Sequence, residues 1–439
     1  MLSELIKRHK LSIAFLGDII VFLASMVLVL YVRYGNAEFH AQLSVHLEPF
    51  IIVLVLWLII FYISNLYTYK AFGNILEIAR RTSAALIVSF SITITIFYIF
   101  SRFFELTPKA NLILLTIAFW VLDILWRHVQ RKIFIQKKFR SNILMIALSP
   151  LTREIAEYIN ANPQLGYTLH QFRTDELRLA ETVQKNFITQ IVIDGNLIKD
   201  NNVTKILYGI VSKQIEITTL TDFYESLFGC IPLSEIKEDW FIKEITKNKR
   251  IYESTKYLVA LIFILITLPL TIPLALIVSA LVATSSPGPI IYKQTRIGKN
   301  DKPFTLYKFR TMRVDRTGPL WTSEDDTRFT VVGRFLHRSH LDEIPQILNV
   351  IKRDITFVGP RPERIELAKS YEQIPYYEIR HIIKPGIIGW AQLNFKPSTS
   401  IAEAQKKFQF DLYYIKNRSL VLDLFIFLKT ARTIFIRNE

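Results

Sequence analysis

Residues Tyr257–Ala283 read Y-L-V-A-L-I-F-I-L-I-T-L-P-L-T-I-P-L-A-L-I-V-S-A-L-V-A, and how this stretch meets a membrane decides the fold. A bilayer crossing takes about 20 apolar residues, so the length suffices. Pro269 and Pro273, however, stand near the middle, and each removes a helix hydrogen bond and favours a kink. Both flanks are basic, with Lys243, Lys247, Lys249, Arg250 and Lys256 before and Lys293, Arg296, Lys299 and Lys302 after. A full crossing would carry a basic remainder to the outer face, against the tendency of Lys and Arg to stay inside. The pattern therefore predicts a helix about 257–283 that enters, breaks at Pro269 and Pro273 and returns to the same side. An ordinary kinked span is the second reading.

Upstream, four apolar segments of spanning length cover roughly Leu11–Tyr31, Pro49–Leu66, Ser83–Phe100 and Asn111–Trp126. Lys7, Arg8 and Lys10 precede the first; Lys70, Arg80 and Arg81 lie between the second and third; Arg127, Arg131, Lys132, Lys137, Lys138 and Arg140 follow the fourth. The other two loops are poor in Lys and Arg, which places both ends of this four-helix unit in the cytoplasm. No small-residue cleavage site follows the first apolar stretch, so no removable signal peptide is expected.

The composition agrees. Of 439 residues 51% are hydrophobic, high for a chain without membrane segments. The net charge of +16 calls for an anionic partner such as nucleic acid, acidic lipid or a phosphorylated substrate. Nucleic acid is not expected, because charge is its only support and the aromatics fall mostly in the apolar segments. The single cysteine, Cys230, excludes an intrachain disulfide and a cysteine-rich zinc site.

Between the membrane segments the chain reads as α/β. Runs I-L-M-I-A at 143–147, I-T-Q-I-V-I-D at 188–194 and I-E-I-T-T-L at 215–220 alternate with helical patterns such as Arg153–Asn160, which predicts a Rossmann-like order. The turn after the first strand is A-L-S-P-L-T-R. It lacks the glycines that let a backbone approach a pyrophosphate, so no nucleotide is expected there. A structural or regulatory role is the reading, with dimerisation one such role.

The last domain is basic and rich in turns, P-G-P at 287–289, R-T-G-P at 316–319, V-G-P-R-P at 358–362 and K-P-G-I-I-G at 384–389, and ends in an apolar stretch Ser419–Ile436 suited to lying in the interface. Three clusters carry its chemistry: Y-K-F-R-T-M at Tyr307–Met312, H-R-S-H-L-D-E-I-P-Q at His337–Gln346 and V-G-P-R-P-E-R at Val358–Arg364. Arginine forks suit phosphate oxygens. Carboxylates in such a site repel the substrate unless a divalent cation intervenes, and Mg²⁺ is the usual one. Asp342 and Glu343 also read as a helix start, with Ser339 as a capping-box-like residue. His337, His340 and His381 share no helical face and are read as structural.

In order and spacing, S-P-G-P-I-I-Y-K-Q-T-R-I-G-K, Y-K-F-R-T-M, L-D-E-I-P-Q-I-L-N-V-I-K-R-D-I-T-F-V-G-P-R-P-E, K-P-G-I-I-G-W-A-Q and D-L-Y-Y-I-K-N-R-S-L-V-L-D resemble the bacterial sugar transferases called monotopic phosphoglycosyl transferases. The resemblance runs from about Lys256 to the C-terminus, and the upstream regions look like those of the long form, the polyprenyl-phosphate hexose-1-phosphate transferases. It implies three regions: four transmembrane helices at 1–140, a degenerate Rossmann-like domain at 141–240, and at 241–439 a mainly α-helical monotopic catalytic domain with a re-entrant helix. It implies transfer of sugar-1-phosphate from a UDP-sugar to undecaprenyl phosphate with release of UMP, initiating exopolysaccharide, capsule or O-antigen synthesis at the cytoplasmic face of the bacterial inner membrane. Asp342 would be the nucleophile and a ligand of Mg²⁺, Glu343 its partner in handling the acceptor's proton, and Lys308, Arg310, Arg338 and Arg361 the phosphate contacts. Two positions depart from the family pattern. His337 stands where relatives usually have Arg, and Ile272 replaces the Ser that often precedes the proline of the helix break. A non-catalytic scaffold that binds nucleotide sugar or lipid phosphate is the alternative. A glycosyltransferase releasing UDP is disfavoured by the lack of a separate D-x-D.

Overall fold

A computed structural model describes residues 10–435 apart from 65, 68–74, 100–108, 136–139, 147–148, 172–178, 196, 198–204, 206, 210–214, 237, 246–248, 314–325 and 397–399. The turn expected at 316–319 and the cations Lys7, Arg8, Lys70, Lys137, Lys138 and Lys247 fall outside the described residues. The chain divides into two compact units between Phe223 and Tyr224.

The first unit opens with three helices, α1 (Lys10–Ile63), α2 (Ile75–Ile99) and α3 (Lys109–Ile135). The first two predicted spans are thus one element, interrupted only at Gly35 (φ 67°, ψ 178°), a backbone geometry that glycine adopts without penalty. On a straight helix Phe22 and Trp57 would lie about 50 Å apart; their ring centroids are 5.5 Å apart. The chain therefore folds back near Gly35, and four apolar limbs result. Phe22, Trp57, Phe61 and Phe119 fill the interior, while Ile20, Val32, Ile87, Ile117 and Leu125 are exposed, as lipid-facing side chains are. Among them lies a sealed ion cluster. Arg127 reaches Asp18 and Asp123, each at 2.7 Å, and Tyr67 Oη donates to Asp18 at 2.8 Å.

A four-stranded, wholly parallel sheet follows, built from β1 (Ser141–Ile146), β2 (Tyr167–Gln171), β3 (Gln190–Ile193) and β4 (Glu216–Thr219) in the order β2-β1-β3-β4, with helices α4 (Pro150–Ala161) and α5 (Leu179–Lys185) between strands. Three strands sit where the apolar runs predict them. The edge strand β2, Y-T-L-H-Q, has too little apolar character to signal itself. At the turn after β1, Ser149 accepts the Leu151 N–H at 3.4 Å and Pro150 takes the first helical position.

Helix α6 (Leu220–Phe228) leads into the second unit, where α7 (Glu238–Ile245) precedes the long α8 (Arg250–Ser285). Here the predicted break is corrected: the backbone stays helical through Pro269 and Pro273. Proline deletes one hydrogen bond without leaving helical φ, and Thr267 and Thr271 bond back to carbonyls of the preceding turn, so hydroxyls are present even though Ile272 supplies none. Near its start Ala260 and Ile264 pack on Leu306, Val350 and Ile355; near its end Val278 and Val282 pack on Phe309 and Leu336. Between them Leu265, Ile266, Leu270, Ile272, Leu276 and Ile277 are exposed. Both ends of the helix rest on the same unit, and between them one apolar face stays exposed while Leu268, Leu274 and Ala275 are half-buried against that unit.

The remainder supplies the layer under α8. Strands β5 (Ile291–Ile297) and β6 (Pro303–Phe309) form an antiparallel hairpin. Helix α9 (Val331–Ser339), a 3₁₀ turn (Leu341–Gln346) and α10 (Ile347–Ile351) follow, and β7 (Thr356–Val358) pairs in parallel with β8 (Gly386–Ile388) on either side of α11 (Ile365–Tyr371). Helices α12 (Trp390–Asn394), α13 (Ile401–Asn417) and α14 (Leu420–Phe435) close the chain.

Candidate active site

The carboxylate pair is delivered by a tightly fixed corner. Thr330 caps α9 by accepting the Gly333 N–H at 2.8 Å. Position 333 admits no side chain, since a Cβ there would lie 1.8 Å from the Thr311 carbonyl oxygen. The helix stops at His340, which takes a left-handed conformation (φ 56°), and the chain re-enters a 3₁₀ turn carrying Asp342 and Glu343. The expected cap is not made: Ser339 Oγ donates back to the carbonyls of Phe335 (2.9 Å) and Leu336 (3.2 Å). An αL residue ahead of the pair reverses the chain too sharply for a Ser339 cap. Asn349 then ties this corner to the hairpin, giving its Nδ2 hydrogen to Thr305 O (2.7 Å) and accepting the Tyr307 N–H (3.1 Å).

That tie sets Lys308 of β6 over the pair. Its Nζ is 2.7 Å from Glu343 Oε1 and 3.7 Å from Asp342 Oδ2. Arg361, on the stiff P-R-P turn after β7, donates to the same Glu343 oxygen at 3.0 Å. Burial alone would raise the Glu343 pKa, but Arg361 and Lys308 outweigh it and hold the carboxyl far below the ordinary range. Asp342 is differently placed. It is buried, and among the described residues its Oδ1 has no hydrogen-bond partner, a state that is costly for a carboxylate oxygen unless a ligand meets it. His337 lies with Nδ1 3.8 Å from Asp342 Oδ2, its ring stacked on Phe329 at 5.1 Å.

Of the four expected phosphate contacts, Lys308 and Arg361 converge on the pair. Arg310 does not converge on it. It is buried, and it donates to the carbonyls of Pro289 (2.6 Å), Val282 (3.2 Å) and Ser286 (2.5 Å), closing the end of α8 as basic residues close helix C-termini. Arg338 is exposed at the last turn of α9. His381 bonds Asp301 at 2.6 Å, away from the pair, whereas His340 directly precedes the 3₁₀ turn and has its pKa lowered by burial against the pull of Glu343 and Asp342. Among the described residues no three acidic, His or Cys side chains gather as a ready metal set.

The comparisons with known proteins meet this geometry. Residues 251–437 match the family described as bacterial sugar transferase. The exopolysaccharide production protein PSS of Rhizobium leguminosarum bv. phaseoli is 39% identical over 176 residues, covering 38% of this chain and 88% of that protein. This chain belongs to the bacterial sugar transferase family. The UDP-glucose:undecaprenyl-phosphate glucose-1-phosphate transferase of Xanthomonas campestris pv. campestris is 31% identical over 321 residues, 66% of this chain and 65% of that protein. This likeness is longer than the family domain and so reaches upstream of it. The UDP-N-acetylgalactosamine-undecaprenyl-phosphate N-acetylgalactosaminephosphotransferase of Aeromonas hydrophila is 39% identical over 213 residues, 48% of this chain and 50% of that protein. The match thus spans about half of one of these relatives and just under two thirds of the other.

Two buried clusters of the transferase domain escaped sequence reading. Arg380 donates to Arg361 O (2.9 Å), Glu363 (2.7 Å), Asp411 (3.1 Å) and Tyr377 (2.7 Å), bracing the P-R-P turn from behind. Lys256 gives hydrogen bonds to Val358 O (2.6 Å) and Tyr414 Oη (2.7 Å) and pairs with Asp423 at 3.0 Å, fixing the base of the same turn to α8 and α14. Both join residues far apart in the chain, and the D-L-Y-Y and L-V-L-D runs were their only signal.

Proposed function

We propose that this transferase moves sugar-1-phosphate from a UDP-sugar to undecaprenyl phosphate in two displacements at Asp342. In the first, an Asp342 carboxylate oxygen bonds to the β-phosphorus as the bond from that phosphorus to the bridging oxygen breaks. UMP departs with the bridging oxygen, leaving sugar-1-phosphate on Asp342 as an acyl phosphate. In the second, a phosphate oxygen of undecaprenyl phosphate attacks the same phosphorus, and Asp342 leaves as carboxylate. The observation that carries this reading is the buried, unpartnered Oδ1 of Asp342 beside Lys308.

Glu343 is better suited to holding Lys308 and Arg361 in place than to taking a proton, since a carboxyl held below the ordinary range is a weak base. Lys308 and Arg361, with the exposed Arg338 at the rim, would meet the diphosphate. Asp342 would be the residue to hold Mg²⁺, which when bound would supply positive charge against the diphosphate. The α8 middle, exposed along one apolar face between two docked ends, suits a re-entrant helix that dips into the cytoplasmic leaflet, which keeps the catalytic unit on the inner face of the bacterial inner membrane. The parallel sheet is read as a Rossmann-like domain whose helix opening is filled by Ser149 and Pro150, serving support or homodimerisation rather than nucleotide binding. The name of the Rhizobium relative favours exopolysaccharide synthesis as the setting.

The test is UMP release by purified protein in nanodiscs, from UDP-glucose, UDP-galactose and their N-acetylated forms, with undecaprenyl phosphate and Mg²⁺. UMP formed by wild type and lost in Asp342→Asn supports the reading and names the sugar. UDP in place of UMP overturns it.

A further inference from the structure

Strand β5 is paired on both edges. Beyond β6, Arg296 stands opposite Arg364 in an antiparallel bridge, and the Ile297 N–H donates to Glu363 O at 3.1 Å. Residues opposite one another in such a bridge put their side chains on one face, where like charges repel. Glu363, the acid adjoining Arg364, is already committed to Arg380 at 2.7 Å and Lys407 at 3.2 Å.

Among the described residues the Arg296 guanidinium donates only to neutral oxygens. Nε (3.1 Å) and Nη2 (2.7 Å) donate to Gln294 Oε1, and Nη1 (2.8 Å) donates to Pro362 O. A guanidinium carries five N–H donors, so two remain unused among the described residues. The group is thus oriented by its neighbours without being neutralised. Burial first, then Arg361 and Arg364, lowers its pKa to about 10, which leaves it cationic at neutral pH. It sits across the same P-R-P turn that presents Arg361 to Glu343. A rigidly held guanidinium with unused donors is what a phosphate oxygen seeks.

We propose that Arg296 is a phosphate-binding residue of this site, holding the phosphate group that does not become bonded to Asp342. The inference rests on the reading of Asp342 and Arg361 given above. Two sources share that chemistry: the α-phosphate of the nucleotide, which leaves as UMP, and the phosphate of the polyprenyl acceptor.

The experiment compares wild type, Arg296→Gln and Arg296→Lys as full chains in nanodiscs, with Lys369→Gln as a control for loss of an exposed charge. Binding of UMP and, separately, of undecaprenyl phosphate in the nanodisc is titrated, and thermal unfolding checks the fold. Arg296→Gln is expected to weaken one of the two by about tenfold or more, Arg296→Lys to recover part of the loss, and Lys369→Gln to change neither. Weaker UMP alone assigns the nucleotide phosphate, and weaker lipid alone assigns the acceptor. Equality of Arg296→Gln and wild type for both ligands, absence of binding by both included, overturns the proposal, as does a loss explained by unfolding that Arg296→Lys shares. Absence of UMP release by wild type, with UMP binding intact and weakened by Arg296→Gln, would instead sink the two-displacement reaction and leave the phosphate site standing.

Discussion

Arg127 and Arg361 each hold a carboxylate in buried surroundings, and they differ in what is left over. The Arg127 side chain is 1% exposed and both its acids are 0% exposed. Arg361 remains 34% exposed beside a Glu343 that is 11% exposed. Among the described residues the first cluster is closed to solvent, so its ion pairs order the helices that carry them. Desolvating such a set costs several kcal/mol per ion, and inside an apolar bundle each charge must find its counter-charge within the protein. The second cluster is closed on one side and open on the other. Each cluster keeps unpartnered carboxylate oxygens among the described residues, on Asp18 and Asp123 in the first and on Asp342 in the second, so the opening to solvent at Arg361 is what separates a site from a strut.

The contrast breaks most sharply at Asp342. Asparagine there is expected to cut transfer by on the order of 10⁴-fold while leaving thermal unfolding within error of wild type. Retained turnover would reduce Asp342 to the same structural status as Asp18. Next in size, Arg127→Leu strands Asp18 and Asp123 without a counter-ion and should cost about 3–5 kcal/mol, read as a lower unfolding midpoint in detergent. An unchanged midpoint would show that the sealed cluster is not a strut. Gly333→Ala forces a methyl group against the Thr311 carbonyl and should cost about 1–3 kcal/mol, again in the unfolding midpoint, with transfer falling because α9 delivers the carboxylates. The smallest effect concerns pH. The Glu343 carboxyl is lowered from 4.5 in the folded chain, so its stabilisation is complete above that value and is lost only as pH falls through the folded one. The stability gap between wild type and Glu343→Gln is therefore expected to be flat from about pH 6 to 9; a slope there would mean that the Lys308 and Arg361 contacts do not hold in solution.

Much of this was legible along the chain because it depends on neighbours in sequence. The apolar runs, the basic flanks and the two prolines of α8 are local, and lipid-facing segments follow from them directly. Three of four sheet strands announced themselves for the same reason, and β2 failed because an edge strand needs little apolar character. The cap assigned to Ser339 failed on a backbone event, the left-handed His340, that no side-chain pattern encodes. Gly35 likewise looks unremarkable in sequence, yet it turns one helix into two packed limbs.

Lys308 and Arg310 show where the boundary lies. They are two residues apart, equally basic, and both read as phosphate contacts. The sequence by itself determined that cations, a carboxylate pair and a proline-stiffened arginine belong to this domain, and it set which segments meet lipid. Only the tertiary structure decided that Lys308 faces Glu343, 35 positions further along the chain, while Arg310 gives Nη1 and Nη2 to the carbonyls around the end of α8. The reason is physical. Local periodicity is fixed by the geometry of a single strand or helix, whereas the partner of a charge is fixed by packing between elements distant along the chain, and in a low-dielectric interior that partner determines whether the charge can still receive a ligand.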